Sequence, residues 1–164
     1  RLLHTGPGWP VHAIHHSDTD VNGFTTARVH ALEPWFARIL MLFTLGWAGF
    51  PADVVATGLM IGVLHNCYVH MDLDWDHGPF NWLIASPRFH RLHHLDVEAV
   101  HHRNLANILP IWDIMFGTWA GTARMRGAYG AAMAGVPATD LVQLWLWPFR
   151  EWAKALASRA RKLA

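Results

Sequence analysis

Two copies of one histidine pattern constrain this chain more than anything else in it. His12-Ala13-Ile14-His15-His16 and His90-Arg91-Leu92-His93-His94 both read H-x-x-H-H. On a helix, positions i, i+3 and i+4 share a face. Each copy is therefore expected to offer three imidazoles to a single point in space. Six converging imidazoles exceed what one tetrahedral metal uses, since zinc takes four ligands. The arithmetic predicts two metal ions held mainly by nitrogen. Without a cation, three adjacent imidazoles would repel when protonated and leave hydrogen-bonding capacity unused when neutral.

The chain holds 13 His, and the others divide by position. His4 precedes the first triplet, at what reads as the end of an upstream helix. His70 closes a long apolar stretch, where it can drop a ligand onto the same site. Both are candidate ligands. Asn66 lies one helical turn before His70 and suits a weak ligand or a hydrogen-bond partner. His65 points elsewhere if that helix is regular. His30 and His77 read as ordinary surface or satisfied core residues. His101 and His102 lack the triplet spacing and are expected outside the metal shell. Metal-binding imidazoles usually donate their second ring nitrogen to a carboxylate or carbonyl. Asp18, Asp20, Asp72 and Asp113 are candidate acceptors, although a turn or capping role suits each equally.

Composition places these histidines beside a membrane. Hydrophobic residues make up 52% of the 164 residues and charged ones 15%, against roughly 25% charged in ordinary soluble domains. There are 10 Trp, a residue that favours membrane–water interfaces. The formal net charge of +1 argues against nucleic-acid binding, which needs a concentrated basic surface. Cys67 is the sole cysteine, so neither an intrachain disulfide nor a thiolate zinc cage is expected, which fits a reducing compartment.

The expected fold is all-α: a membrane-associated helical bundle with a transmembrane hairpin and a cytosolic histidine-rich cap holding two metals. Residues 1–11 read as a short lead-in, and the polar run from Ser17 to Gly23 ends the first histidine helix. The apolar stretch from Leu32 to Leu64 contains only Glu33, Arg38 and Asp53 as charged members. Gly49-Phe50-Pro51 breaks it, because proline cannot continue a helix. A hairpin over about 31–71 is predicted, 31–49 out and 52–71 back. Each limb approaches the roughly 20 residues that span a bilayer, and a buried soluble hairpin is the alternative. Ser86-Pro87 reads as a cap and first turn for the second histidine helix. Residues 1–119 carry every histidine and are expected to form the histidine-box domain. Residues 120–138 read as a Gly/Ala-rich loop with little core. The tail to Ala164 carries Leu141, Leu144, Trp145, Trp147, Phe149 and Trp152 ahead of Arg150, Lys154, Arg159, Arg161 and Lys162. It suits either an interfacial helix on an anionic membrane or a core-packing helix with a solvated basic end.

These motifs together resemble the fatty acid hydroxylase/sterol desaturase superfamily. The run from His12 to Asn22 resembles its second histidine box, and Ser86 to His94 its third. His70, in His-Met-Asp-Leu-Asp-Trp, matches the single histidine between the boxes. Asn104 with Leu109 to Thr118 resembles the segment that closes the catalytic domain. Arg1-Leu2-Leu3-His4 looks like an H-x-x-x-H first box lacking its first histidine, and the chain starts with Arg, not Met. A full-length protein is therefore expected to add one histidine and upstream membrane helices. Asp72 stands where many members carry Asn, and Leu105-Ala106 replaces an aromatic-Gly pair.

The resemblance implies an oxidoreductase of lipid biosynthesis. It implies two iron ions bound by His4, His12, His15, His16, His70, His90, His93 and His94, with O2 as co-substrate. The reaction expected is hydroxylation or desaturation of a C–H bond in a sterol or fatty-acyl lipid, with electrons from a separate donor protein. Imidazole suits zinc and copper as well as iron, but redox-inert zinc cannot activate O2. The expected location is a membrane, with the boxes facing the cytoplasm at the bacterial inner membrane or the endoplasmic reticulum. Lys/Arg near the boxes and the tail favours that orientation. A non-catalytic metal-binding membrane protein is the alternative. A di-metal hydrolase is a third, disfavoured because such sites lean on bridging carboxylates.

Overall fold

The computed structural model describes residues 2–163. Among the described residues there are six α-helices and no β-strand, apart from one isolated antiparallel bridge between Leu95 and Tyr129. The helices are α1 (Trp9–His16), α2 (Leu40–Trp47), α3 (Ala52–His70), α4 (Pro87–His93), α5 (Ile111–Met115) and α6 (Leu141–Leu163).

The two histidine helices are short and capped. Pro10 lies in the first turn of α1, and the Ser17 hydroxyl closes its last turn by donating to Ile14 O at 2.7 Å. Arg28 reaches the same helix end, its Nε donating to Ile14 O at 3.3 Å and to Ser17 Oγ at 3.1 Å. A cation there complements the helix dipole. Its Nη2 also donates to Ala138 O, tying the helix to the loop before α6. Helix α4 starts as its sequence predicts: the Ser86 hydroxyl accepts from Phe89 N at 3.2 Å, and Pro87 occupies the first helical position.

Helix α1 begins earlier than expected, because a turn over Leu2–His4 folds directly onto it. Gly8 permits that contact. A Cβ there would lie 2.5 Å from Leu2 O and 2.9 Å from Leu3 Cα. The turn buries His4 at the head of α1.

The apolar hairpin is present, with an outgoing limb shorter than expected. It starts with a π-helical turn over Trp35–Ile39 and passes into α2. His30 explains the late start. Its Nδ1 accepts from Leu32 N at 3.2 Å and its Nε2 donates to Trp145 O at 3.2 Å, anchoring the entry. Gly49 makes the reversal with φ +79°, a conformation that glycine adopts without penalty. The return limb α3 has 19 residues. At 1.5 Å per residue it extends about 28 Å, near the roughly 30 Å hydrocarbon core of a bilayer. Among the described residues it is the one helix long and apolar enough to cross a membrane. Leu40, Phe43 and Trp47 on α2, and Val54, Met60, Ile61 and Leu64 on α3, are exposed.

Buried apolar residues lie behind the histidines. Ala13 and Ile14 of α1 pack with Leu144 of α6 and with Ala131 and Val136. The stretch 120–138 therefore contributes to the core, against expectation. Small side chains suffice because α1 and α6 approach closely around them. Phe89 of α4 packs on Val69, Ala85, Tyr68 and Trp119. Leu92 joins Leu95 and Val100. In each histidine helix the apolar positions thus face outward and the histidines inward.

Candidate metal centre

All eight histidines singled out in the sequence meet in one buried region between α1, α4 and the end of α3. Their ring nitrogens form two groups. His4, His12, His16 and His93 make one; His15, His70, His90 and His94 make the other. Within each group the candidate ligand atoms lie within 4.8 Å of one another. The expectation that each triplet serves one point needs correction. The first triplet sends His12 and His16 to one group and His15 to the other. The second sends His90 and His94 to that other group and His93 back to the first. The physical reason is that i and i+4 lie nearly above one another, while i+3 is offset around the helix.

The second group brings its ring nitrogens into direct contact. His70 Nε2 lies 3.0 Å from His15 Nε2 and 3.1 Å from both His94 Nε2 and His90 Nε2. His94 Nε2 and His90 Nε2 are 3.2 Å apart. Four nitrogens placed 2.0–2.1 Å from a tetrahedral ion would be about 3.3 Å apart. In the first group the His4 ring centroid is 4.6 Å from those of both His12 and His93, within the 4.4–4.9 Å range of the second group's rings. The groups adjoin where His16 stacks on His94 at 4.4 Å.

Hydrogen bonds turn the ring nitrogens inward. His70 Nδ1 donates to Asn66 O at 2.6 Å, His93 Nδ1 to Arg103 O at 2.7 Å, and His15 Nδ1 to Arg28 O at 3.3 Å. Each bond puts the proton on Nδ1 and leaves the Nε2 lone pair aimed into the cluster. The two lone pairs so fixed on His15 and His70 face each other at 3.0 Å and repel unless a proton or cation lies between them. His16 Nε2 is buried with no hydrogen-bond partner. Seven of the eight side chains belong to buried residues, and His12 is 12% exposed. Burial, reinforced by neighbouring imidazoles, holds His15, His16, His90 and His94 well below the ordinary histidine range. The same causes lower His4 and bring His93 to about 3. Neutral rings with inward lone pairs are the state that a metal requires. The residues therefore fit two metal ions with all-imidazole donor sets.

The carboxylates are placed differently from the sequence expectation. Asp18 accepts from the Thr25 hydroxyl at 2.6 Å and from Asp20 N at 3.3 Å. Asp20 is an exposed turn residue whose carbonyl takes a bond from Asn22 Nδ2. Asp72 pairs with Arg91 at 2.7 Å. Asn66 contributes its backbone carbonyl rather than its side chain. Asp113 acts at one remove. It is buried and accepts from Leu105 N and Ala106 N, both at 2.8 Å, and from the Thr118 hydroxyl. Asn104, at φ +51°, accepts from Ala120 N at 2.8 Å and donates to Phe89 O at 3.0 Å. Together they fix the loop whose Arg103 carbonyl orients His93.

One carboxylate was missed in the sequence. Glu33 Oε1 lies 3.1 Å from His12 Nδ1. It stood in the apolar hairpin, and no local spacing ties it to a residue 21 positions earlier. Glu33→Gln is expected to weaken metal at the His4 group by about 10–100-fold, the usual effect of losing such a partner. The His15 group should be nearly unaffected. Metal titration of the purified full-length variant checks this, and equal weakening of both ions would overturn it.

The remaining histidines lie outside both groups. His101 Nε2 is 3.3 Å from Asp96 Oδ1, and the His102 ring is 6.5 Å from that of His4. His30 is satisfied as described above. His77 bonds to the Tyr68 hydroxyl at 2.7 Å, and His65 packs on the Tyr68 ring at 5.8 Å. Beside the His4 group opens a cavity of about 760 Å³, bordered by His4, His16, His93, Trp9, Leu95 and Met133 among others.

Comparison with known proteins follows the same residues. The family model described as fatty acid hydroxylase matches residues 1–118. The chain is 32% identical over 114 residues to an alkylglycerol monooxygenase of Xenopus tropicalis, covering 68% of this chain and 24% of that protein. It is 33% identical over 120 residues to the ornithine lipid hydroxylase OlsE of Rhizobium tropici, covering 71% of this chain and 35% of that protein. The human alkylglycerol monooxygenase is 31% identical over 115 residues, covering 68% and 24%. The chain thus matches a quarter to a third of the length of these relatives. No solved structure matches it.

Proposed function

The chain belongs to the fatty acid hydroxylase family, and from that premise we propose that it forms the metal-binding part of a membrane-bound lipid hydroxylase. The reading is a di-iron, O2-dependent enzyme that places a hydroxyl group on an unactivated C–H bond of a lipid. One observation carries it: two adjoining groups of four imidazoles, nearly all buried, with three of the rings turned inward by Nδ1–H bonds to backbone carbonyls. His4, His12, His16 and His93 would hold one ion, and His15, His70, His90 and His94 the other. Bound iron would supply the O2 activation that amino-acid side chains lack.

The chain's own groups do the rest. The carbonyls of Asn66, Arg103 and Arg28 hold three imidazoles in one tautomer. The Glu33 carboxylate, 3.1 Å from His12 Nδ1, supports the orientation of that ring. Burial keeps bulk water from most of the cluster, which would limit side reactions once a metal is bound. The cavity beside His4 and His93 gives a substrate segment access. The apolar hairpin would hold the chain at a bilayer, where a lipid substrate resides. Electrons come from a separate donor protein.

The relatives named above are a monooxygenase and a hydroxylase, which favours hydroxylation over desaturation. The test uses the full-length protein in membranes that contain its native electron donor. Under 18O2, a lipid product carrying one 18O atom is expected, with two irons bound per chain. A double bond without 18O would redirect the reading to desaturation. Iron-loaded protein that leaves every lipid unchanged would overturn it.

In this reading the histidine cluster faces the cytoplasm. The hairpin leaves and returns on one side, and basic residues near membrane ends stay cytoplasmic. Thr19 and Ala99 are exposed near the two histidine helices. Single cysteines at these positions in a Cys67→Ser background are expected to resist an impermeant thiol reagent in intact cells and to react after permeabilisation. Labelling of both from outside would reverse the orientation. Labelling of one alone would dismantle the hairpin.

A further inference from the structure

Helix α6 lies beyond the residues that the family model covers, and it has three distinct faces. Leu144 and Pro148 are buried, with Trp147 against Ala13 and Ile14 on the back of α1. Trp152 Nε1 adds a bond to Pro7 O at 2.9 Å. Rotated away from that contact, Val142, Trp145, Phe149 and Leu156 follow one another at helical spacing as a single stripe. They are 49–68% exposed. The third face carries Arg150, Lys154 and Arg161, with Arg159 and Lys162 near the end. Glu151 is the only acidic residue within the helix, and Lys154 pairs with it at 2.6 Å.

The apolar stripe starts where the hairpin begins. The His30 ring lies 4.9 Å from Trp145 and 6.0 Å from Phe149, and His30 Nε2 bonds to Trp145 O. Pro148 removes the helical bond to Leu144 O one turn back, so the ladder is interrupted beside that cross-link. A few residues after His30, exposed Trp35 leads into the apolar hairpin. The stripe thus adjoins the entry to the hairpin through His30. A continuous apolar stripe flanked by cations and nearly free of acids is the pattern of a helix lying on an anionic bilayer.

We propose that α6 lies flat in the interface of an anionic bilayer, with Val142, Trp145, Phe149 and Leu156 inserted and its basic face among the lipid headgroups. Because its opposite face bears on α1, the seated helix sets the height of the first histidine triplet above the lipid. The proposal rests on the membrane reading of the hairpin for its location, and the experiment separates the two.

Nitroxide labels are attached at single cysteines replacing Val142, Phe149 or Leu156, and separately Arg150, Lys154 or Arg161, in the full chain carrying Cys67→Ser. Ile61 in α3 serves as the hairpin reference. The protein is reconstituted in vesicles of phosphatidylcholine with or without phosphatidylglycerol. Collision with dissolved oxygen and with a water-soluble nickel chelate reports depth. Stripe labels should favour oxygen and basic-face labels should favour the chelate, and phosphatidylglycerol should deepen the stripe. Stripe labels as open to the chelate as the basic face, with Ile61 shielded, would overturn the proposal and leave the hairpin standing. An open Ile61 would overturn the membrane reading itself. Spin–spin broadening among stripe labels would assign the face to a second copy and overturn the proposal. Equal depth without phosphatidylglycerol would overturn its anionic requirement.

Discussion

His93→Ala in the full-length protein is expected to lower lipid turnover by at least about 100-fold, with membrane insertion unchanged, and His15→Ala should do the same. Losing a group that merely orients a ligand typically costs about 10–100-fold, so losing a ligand costs more. The two residues belong to different histidine groups. His93 belongs with His4, His12 and His16, and His15 with His70, His90 and His94. Each variant leaves three imidazoles in one group and four in the other. Iron per chain should therefore fall first at the depleted group, measured by elemental analysis beside turnover. His101→Ala is the matched control. That ring pairs with Asp96 outside both groups, and its loss should leave iron content intact. Turnover above about a tenth of wild type in either ligand variant would sink the assignment.

The second large effect is acid collapse of the metal-free protein. His4, His15, His16, His90, His93 and His94 are all held below the ordinary value when folded, chiefly by burial. In the unfolded chain each returns to about 6.5. Below that pH the unfolded state binds more protons than the native state, so stability falls as pH falls. The contribution is fully present above pH 6.5 and is lost progressively below it, continuing to about 3 for His93. Each group adds about 1.4 kcal/mol per pH unit at full slope. Six together approach about 8 kcal/mol per unit, comparable with the whole stability of a typical domain at about 5–15 kcal/mol. Thermal melting of metal-free protein in detergent should therefore drop steeply between pH 6.5 and 5. Bound metal should shift that drop to lower pH, because protons must displace it from the same nitrogens. A melting temperature unchanged from pH 7 to 5 would contradict the buried, neutral cluster.

The clustering of these histidines was legible in the sequence because spacing within a helix is a local property. His12, His15 and His16 share a face through 3.6-residue periodicity alone, and so do His90, His93 and His94. How the triplets divide between two groups was not legible, since it depends on how α1 and α4 lie against each other. The hydrogen-bonding partners were harder still. Arg103, Arg28 and Asn66 act through backbone carbonyls, which every residue possesses, so no side chain marks them. The Asn66 contact is the partial exception, because its carbonyl lies one helical turn before His70. Ala131 and Val136 escaped notice because small residues in a Gly/Ala-rich stretch carry no periodic signal. The tail offered two readings, interfacial or core-packing. The α1 side satisfies the second and leaves a different face exposed.

The division of each triplet between two groups has a mechanical consequence. On α1, His12 and His16 point in nearly one direction, and His15 lies about 80° around the axis from their mean. Turning α1 one way would press one pair of rings home and draw the third ring out; turning it back would do the reverse. Helix α4 is tethered in the opposite sense. Two loaded ions would act as opposed stays on each helix, removing its freedom to roll. The spacing between the ions would then be held by the backbone of two short helices, without a carboxylate strut between them.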